Sequence, residues 1–481
     1  MLSESLLWLT FGVLEALAAQ QLALNSLTTY NSSSLPSAFT LPANSNLSIS
    51  VAYCSNTSST PSFYVTNTSS SADTPTASGG TDVYEIDVSD GFGNFTGKFD
   101  SGGVLAVESI GSMTIEIGIS DDGPMHEVLD DVPFFSDSTS SQAIIYSVPF
   151  FVPTLLDPTY PKYILPDANT SAPTPPSWSP NYTFILVPTS EKLTIVPQTG
   201  CMLSSVTSSG NVVNETLWLR DSNGWRNQWL IDGLNSSTNY TTYIVENSTK
   251  VSGPIYFATK SDSFTCPLVM SLPYCPSVAY PIPLDASDSG YPYNDSTLPT
   301  YISDPLISYL SNFTTTLTTF ACGRDLYSPI VTCADCQREY RTWLCRISFP
   351  RCGEVSPENP DAITTLALPP TATGVGALPT AGSASAVDSA LVTQTAYATP
   401  RNTNFPAYAD GYDMLLPCLE VCTAADRACP YFLGFKCPMK KFNAASSYGV
   451  GYIDSGVEGQ EGGGAVKSIQ DRYGNIWCNG A

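Results

Sequence analysis

At 481 residues the chain has room for two to four domains, each large enough to bury a core. Only 13% of its residues are Asp, Glu, Lys or Arg, and the formal net charge is −24, which excludes a nucleic-acid partner because phosphates would be repelled. The charge is uneven: residues 1–321 hold 7 basic and 28 acidic residues, whereas residues 322–481 hold 12 basic and 15 acidic.

The first nineteen residues read as a signal segment, residues 1–19. Leu6 to Leu14 form an apolar run, followed by the small residues Ala16, Ala18 and Ala19. No basic residue precedes the run and Glu15 interrupts it, so an uncleaved anchor is the alternative. No later stretch reaches 18 apolar residues.

Residues 20–150 read as a β-sandwich. The alternating runs Asp82–Val88 and Met113–Ile119 place apolar residues on one sheet face, and Ser89-Asp90-Gly91 and Ser120-Asp121-Asp122-Gly123 are turn clusters. Residues 151–180 read as an extended linker, since 149–180 contain nine prolines and little periodicity. Residues 181–263 read as a second β-sandwich, with strands at Phe184–Val187 and Leu193–Val196. Leu234, Tyr240 and Tyr243, followed by Ile255–Thr259, resemble the late strands of a fibronectin type III sandwich.

Residues 264–481 hold twelve of the fourteen cysteines. Residues 356–404 interrupt them with an Ala-, Thr-, Pro-, Ser- and Gly-rich insertion that cannot bury a core and reads as disordered. Asn-x-Ser/Thr sequons occur thirteen times, at Asn31, Asn46, Asn56, Asn67, Asn94, Asn169, Asn181, Asn214, Asn235, Asn239, Asn247, Asn294 and Asn312, and none follows Cys322. Sequons and an even cysteine count together point to the secretory pathway, a disulfide framework and N-glycosylation. Zinc at Cys333-Ala-Asp-Cys336 is the competing use of those thiols; a second ligand pair at similar spacing is missing, and the single histidine, His126, is far away in sequence. No metal and no cofactor is expected.

Within Cys336–Cys345, residues 336, 340, 343 and 344 share one helical face and Arg338 and Arg341 another. Nine residues span about half a revolution beyond two turns, so Cys336 and Cys345 cannot pair while that helix exists. The helix should therefore be stapled on two sides.

The cysteine spacings resemble the ten-cysteine Frizzled-type domain, a small helical disulfide fold, which implies a mainly α-helical C-terminal domain after the β-rich sandwiches. Carried across, its pairing implies Cys266–Cys352, Cys275–Cys345, Cys336–Cys429, Cys418–Cys478 and Cys422–Cys437. Cys322 and Cys333 are left to pair together, and Cys54 and Cys201 to pair across the β-domains. Tyr327-Ser-Pro-Ile-Val-Thr-Cys333-Ala-Asp-Cys336 and Tyr340-x2-Trp343-Leu-Cys345-x4-Pro350-Arg351-Cys352 resemble the fungal stretch-activated calcium-channel regulatory component family. Tyr274-Cys275-Pro276, Pro417-Cys418-x3-Cys422 and Cys429-Pro430-x3-Gly434-Phe435-x-Cys437 carry the same resemblance.

That resemblance implies an accessory subunit, not an enzyme, serving calcium influx under stretch, stress or mating. Its partner would be a large four-repeat calcium-channel pore subunit at the extracellular face of the plasma membrane, with some residence in the endoplasmic reticulum. Arg338, Arg341, Arg346 and Arg351 are candidates for docking that partner, because a guanidinium fork bonds carboxylates bidentately; each could instead be a solvated helical face. Lys436, Lys440 and Lys441 lie nearby in sequence. Tyr340 and Trp343 are expected in the core. Two other classes stay open: a secreted or wall-associated glycoprotein binding a lipid or glycan, and a wall glycosidase, for which no carboxylate pair stands out. Asp285-Ala-Ser-Asp288 lacks the twelfth-position glutamate of a calcium loop.

Overall fold

A computed structural model describes residues 20–55, 61–67, 75–76, 82–108, 113–153, 174–191, 199–286, 292–320, 327–354, 391–438, 444, 447–449 and 478–480. The expected signal segment, residues 154–173 of the linker, most of the insertion and Cys322 lie outside them. The chain forms two compact units.

The first unit comprises the described residues of Met1–Val128, Thr194–Val206 and Ser248–Val251. Its strands are β1 (Gln20–Gln21), β2 (Ser26–Asn31), β3 (Ala38–Leu41), β4 (Asn44–Tyr53), β5 (Ser62–Thr66), β6 (Val83–Ile86), β7 (Val88–Ser89), β8 (Phe92–Phe99), β9 (Gly103–Glu108) and β10 (Thr114–Ser120). They form two five-stranded sheets, ordered β1-β3-β9-β5-β6 and β2-β10-β4-β8-β7. Alternation explains their packing: Phe63, Val65 and Leu105 of one sheet meet Ile49, Val51, Ile115 and Ile117 of the other in a fully buried core. A short strand β11 (Glu127–Val128) pairs in parallel with Lys250–Val251.

A four-residue helix α1 (Gly200–Leu203) also belongs to this unit, and Cys201 is bonded to Cys54 just beyond β4. That disulfide thus lies within one unit and does not tie two β-domains together. Only glycine fits at position 200, where a Cβ would stand 2.5 Å from the Ser248 carbonyl oxygen. Thr199 caps the helix and also donates its hydroxyl to the Tyr53 carbonyl.

The second unit begins at Leu129, so two strands that fall by sequence before residue 150 belong to it: β12 (Phe134–Ser138) and β13 (Ala143–Tyr146). With β14 (Tyr182–Pro188), β15 (Asn211–Trp218), β16 (Arg226–Asp232), β17 (Asn239–Glu246) and β18 (Lys250–Ala258) they build a sandwich. One sheet is ordered β12-β13-β16-β15, and β14, β17 and the unit's part of β18 form the other. This is the ABED/CFG strand order of an immunoglobulin constant-type sandwich. The corner resides where Leu234 and Tyr240 place it: both are buried, and the Asn235 N–H donates to the Tyr240 hydroxyl at 2.8 Å. Leu193–Val196, read by sequence as a strand, lies outside the described residues.

The cysteine-rich region is not mainly helical, which overturns the fold class that the Frizzled-type resemblance implies. Among the described residues of the whole chain 38% are in strands and 17% in helices. The region's long helices are α2 (Thr300–Phe320), α3 (Cys333–Ser348) and α4 (Leu419–Ala428). Between Cys266 and Pro299 the chain is mostly irregular, because Pro267, Pro273, Pro276, Pro281 and Pro283 leave no run long enough for a helix. Among its described residues the strands are β19 (Leu268–Val269) and β20 (Tyr280–Pro281). Farther on, β21 (Arg351–Gly353), β22 (Leu391–Gln394) and β23 (Tyr412–Leu415) form a small sheet in the order β21-β23-β22. The strand β22 falls inside 356–404, so the insertion is structured from Leu391 onward.

Sandwich and cysteine-rich region share a core. Alternate residues of β12, β13 and β16 face opposite ways. Phe135, Ala143, Ile145, Trp229 and Ile231 enter the sandwich interior, while Phe134, Ile144, Tyr146 and Leu230 pack on Leu268, Met270 and Ala279. Both faces of this sheet are covered, which is why β13 is an unbroken apolar run.

Candidate docking surface of the cysteine-rich region

Helix α3 is specified at its start by a capping box. The Thr332 hydroxyl accepts from the Asp335 N–H at 3.2 Å, and the Asp335 carboxylate accepts from the Thr332 N–H at 2.8 Å. Burial pushes the Asp335 carboxyl up, but the Thr332 N–H and hydroxyl and the Arg338 guanidinium more than offset it, and the net shift is downward.

The helix is stapled on two sides. Cys336 is joined to Cys429 at the end of α4, and Cys345 to Cys275 in the irregular segment. Cys266–Cys352, Cys418–Cys478 and Cys422–Cys437 complete the framework among the described residues. Cys333 is also disulfide-bonded, which removes the thiols a zinc site would need. Two groupings that contain cysteines together with Glu116 or Glu420 use sulfurs already joined to each other.

Tyr340 and Trp343 form the seam between helices. Tyr340 stacks on Phe313 of α2 at 3.5 Å between ring centres, and Trp343 meets Phe435 edge-on at 4.8 Å. The Trp343 indole N–H donates to the Tyr448 hydroxyl at 2.9 Å.

The four arginines separate into two kinds. Arg338 is exposed on α3 and is held by Asp335 at 2.7 Å and Glu339 at 3.3 Å; Arg341 is half-buried. Arg346 and Arg351 are buried and cannot meet a partner, which corrects their assignment as docking residues. Arg346 donates to Asn479 Oδ1 at 3.1 Å and to the Ser277 carbonyl at 3.0 Å; burial lowers its pKa to about 10. Arg351 donates through Nε to Asp137 at 2.7 Å and to the Ser136 carbonyl at 2.9 Å, and Lys260 stands 3.4 Å from the same carboxylate. Both guanidinium groups flank the Tyr280 ring, at 5.1 and 5.0 Å. These arginines fasten the region internally, and Arg351 fastens it to the sandwich.

Sequence reasoning left His126 without a nucleophile, yet folding brings it to Ser50 and Glu116. Its Nδ1 shares a hydrogen bond with Ser50 Oγ at 3.0 Å and its Nε2 lies 3.3 Å from Glu116. Ser50 Oγ also accepts the Met125 and His126 N–H groups at 3.2 Å, and both Ser50 and His126 are buried. Such a hydroxyl is a structural knot and is closed to substrate. Only the β4–β10 pairing, Ser50 opposite Gly118, makes the trio visible.

Of the sequon asparagines, Asn56 and Asn169 lie outside the described residues, and none of the other eleven is buried. Among the described residues no helix is long and apolar enough to cross a membrane.

Residues 42–461 match the family described as stretch-activated Ca2+-permeable channel component. The chain belongs to that family. It is 34% identical over 440 residues to the stretch-activated cation channel MID1 of Cryptococcus neoformans var. grubii, covering 82% of this chain and 69% of that relative. It is 28% identical over 265 residues to the stretch-activated cation channel yam8 of Schizosaccharomyces pombe, which covers 51% of this chain and 47% of the relative. It is also 28% identical over 225 residues to the stretch-activated cation channel MID1 of Saccharomyces cerevisiae, with 43% and 34% covered. The chain thus spans about half or less of two of these relatives. Family membership makes it a channel component and not an enzyme, and its disulfides place it in an oxidising compartment.

Proposed function

We propose that the chain is an accessory, regulatory subunit of a plasma-membrane calcium channel, a glycoprotein acting from the extracellular face to support stretch- or stress-induced calcium influx. The observation that carries this reading is the way its strands are used. In both sandwiches apolar side chains point inward and sequons stand on the outside, the reverse of strands that face lipid. The conducting path would therefore belong to a partner, which we take to be a large four-repeat pore subunit. The chain's own contribution would be a rigid, disulfide-pinned body that favours one folding, trafficking or gating state of that partner.

Affinity purification of the full chain from fungal membranes, with calcium uptake measured in a deletion strain, tests this. Recovery of a pore-forming channel and reduced stress-induced uptake are expected. Normal uptake with no channel recovered would defeat the proposal.

A further inference from the structure

The two most exposed large apolar side chains among the described residues are Ile330 at 89% and Tyr431 at 86%, and Phe432 beside the latter is 58% exposed. They come from segments far apart in sequence: the turn before α3 and the single 3-10 turn Tyr431–Leu433 after α4. The fold brings them to one junction. The Tyr327 hydroxyl lies 2.8 Å from the Thr332 carbonyl and 2.6 Å from that of Ala428, so the starts of both segments are neighbours. Leu433 packs with Tyr327 and Ala334 around Cys333, Cys336 and Cys429 beneath them.

This tip is stiff. The loop that carries Tyr431 and Phe432 is fixed at both ends, by Cys336–Cys429 before it and Cys422–Cys437 after it. Apolar side chains held outward by covalent staples lose little freedom on binding, which is the condition for a strong anchor.

The geometry points to the Ile330–Tyr431–Phe432 tip as the surface that docks onto the partner channel, and the occupant as an acidic extracellular loop with an apolar recess. This deepens the accessory-subunit reading and rests on it. Three observations select a protein over a bilayer or a second copy. First, the rim is mixed in sign: Asp426 and Arg427 are exposed at the end of α4, and Lys436 lies 5.6 Å from the centre of the Tyr431 ring. An aromatic centre within a mixed polar rim is the anatomy of a protein interface, whereas a bilayer anchor favours an all-basic rim. Second, neither of the two segments that form the tip carries a sequon, so no glycan is rooted on it; the sequon nearest in sequence, Asn312, stands on α2. Third, a cation-conducting pore concentrates acidic groups at its mouth. Residues 322–481, at net −3, would be tolerated there, whereas two copies of a chain at net −24 would repel each other.

The test compares the full chain with Tyr431→Ser/Phe432→Ser and, separately, Ile330→Ser. Each is purified from solubilised membranes and assayed for channel recovery, and each is also floated with phosphatidylcholine–phosphatidylserine vesicles. Non-reducing electrophoresis and secreted yield check that the disulfides still form. Expected is wild-type recovery of the channel, a fall of about tenfold or more in both variants, and no vesicle binding by any of them. Undiminished recovery with folded variants would overturn the tip while leaving the accessory role standing. Vesicle binding by the wild type that the variants lose would overturn it in favour of a bilayer. Failure of the wild type itself to recover a channel would overturn the accessory role and the tip together.

Discussion

Three substitutions at one buried cluster should differ in cost in a fixed order. Asp137, Arg351 and Lys260 are all buried, and the set holds two cations and one anion. Asp137→Asn keeps the shape but removes the anion. Two cations then face an amide, and the breaking of a buried pair costs about 3–5 kcal/mol. Arg351→Met leaves Lys260 opposite Asp137 with charge balanced. It loses the fork to Asp137 and the bond to the Ser136 carbonyl, for roughly 2–3 kcal/mol. Lys260→Met removes only the 3.4 Å contact and leaves the Arg351–Asp137 pair whole, so about 1 kcal/mol or less is expected. Adding Arg351→Met to Asp137→Asn withdraws one stranded cation and should recover part of the loss, a coupling that a double-mutant cycle measures. Denaturant titration of each full-length variant, followed by tryptophan fluorescence, gives the order. Equal costs for Asp137→Asn and Lys260→Met would refute the charge-balance argument.

Two further outcomes are expected. Thr332→Ala should cost about 1 kcal/mol through the lost cap of α3. Because the Asp335 carboxyl lies below its usual range when folded, its contribution is full above the unfolded carboxylate range near pH 4 and lost as pH falls through the lowered folded value; unfolding curves of Thr332→Ala should show a shallower acid limb than wild type. On β15, an exposed edge strand where Val212 and Val213 are 45% and 38% accessible, a glycan at Asn214 would block edge pairing. Asn214→Gln is therefore expected to raise self-association, measured by light scattering; an unchanged monomer would count against that role.

How much of this was legible in the sequence depended on whether one face of an element meets water. Helix α3 was legible because Cys336, Tyr340, Trp343 and Leu344 recur at helical spacing, although its start at the Thr332–Asp335 capping box was not read. Strand β10 was legible because Ile115, Ile117 and Ile119 alternate with outward residues. The membership of β12 and β13 was not, since a sheet covered on both faces shows no alternation and no sign of which core each face enters. The helical character expected of the C-terminal region failed for a related reason. Cysteine spacing constrains which residues meet, and the staples then hold an irregular proline-rich backbone that needs no helix to stay in place.

The arginines carry the same lesson into function, and one consequence is measurable. By composition the cysteine-rich region holds most of the chain's cations, which suggests an interface built on electrostatic attraction. Arg346 and Arg351 are sealed inside, and Arg338 is already matched by Asp335 and Glu339 on its own helix. Among the four arginines read as docking candidates, that leaves little free charge to attract a partner over distance, and the rim of the tip is mixed in sign, so short-range apolar contact at the tip should supply most of the affinity. Exposed charges are screened beyond about 10 Å at 0.1 M salt, whereas apolar burial is not. Recovery of the channel by the full chain should then change by less than about threefold between roughly 0.05 and 0.5 M salt. A steep decline over that range would mean that exposed charge carries the contact, and the tip would be reduced to a bystander.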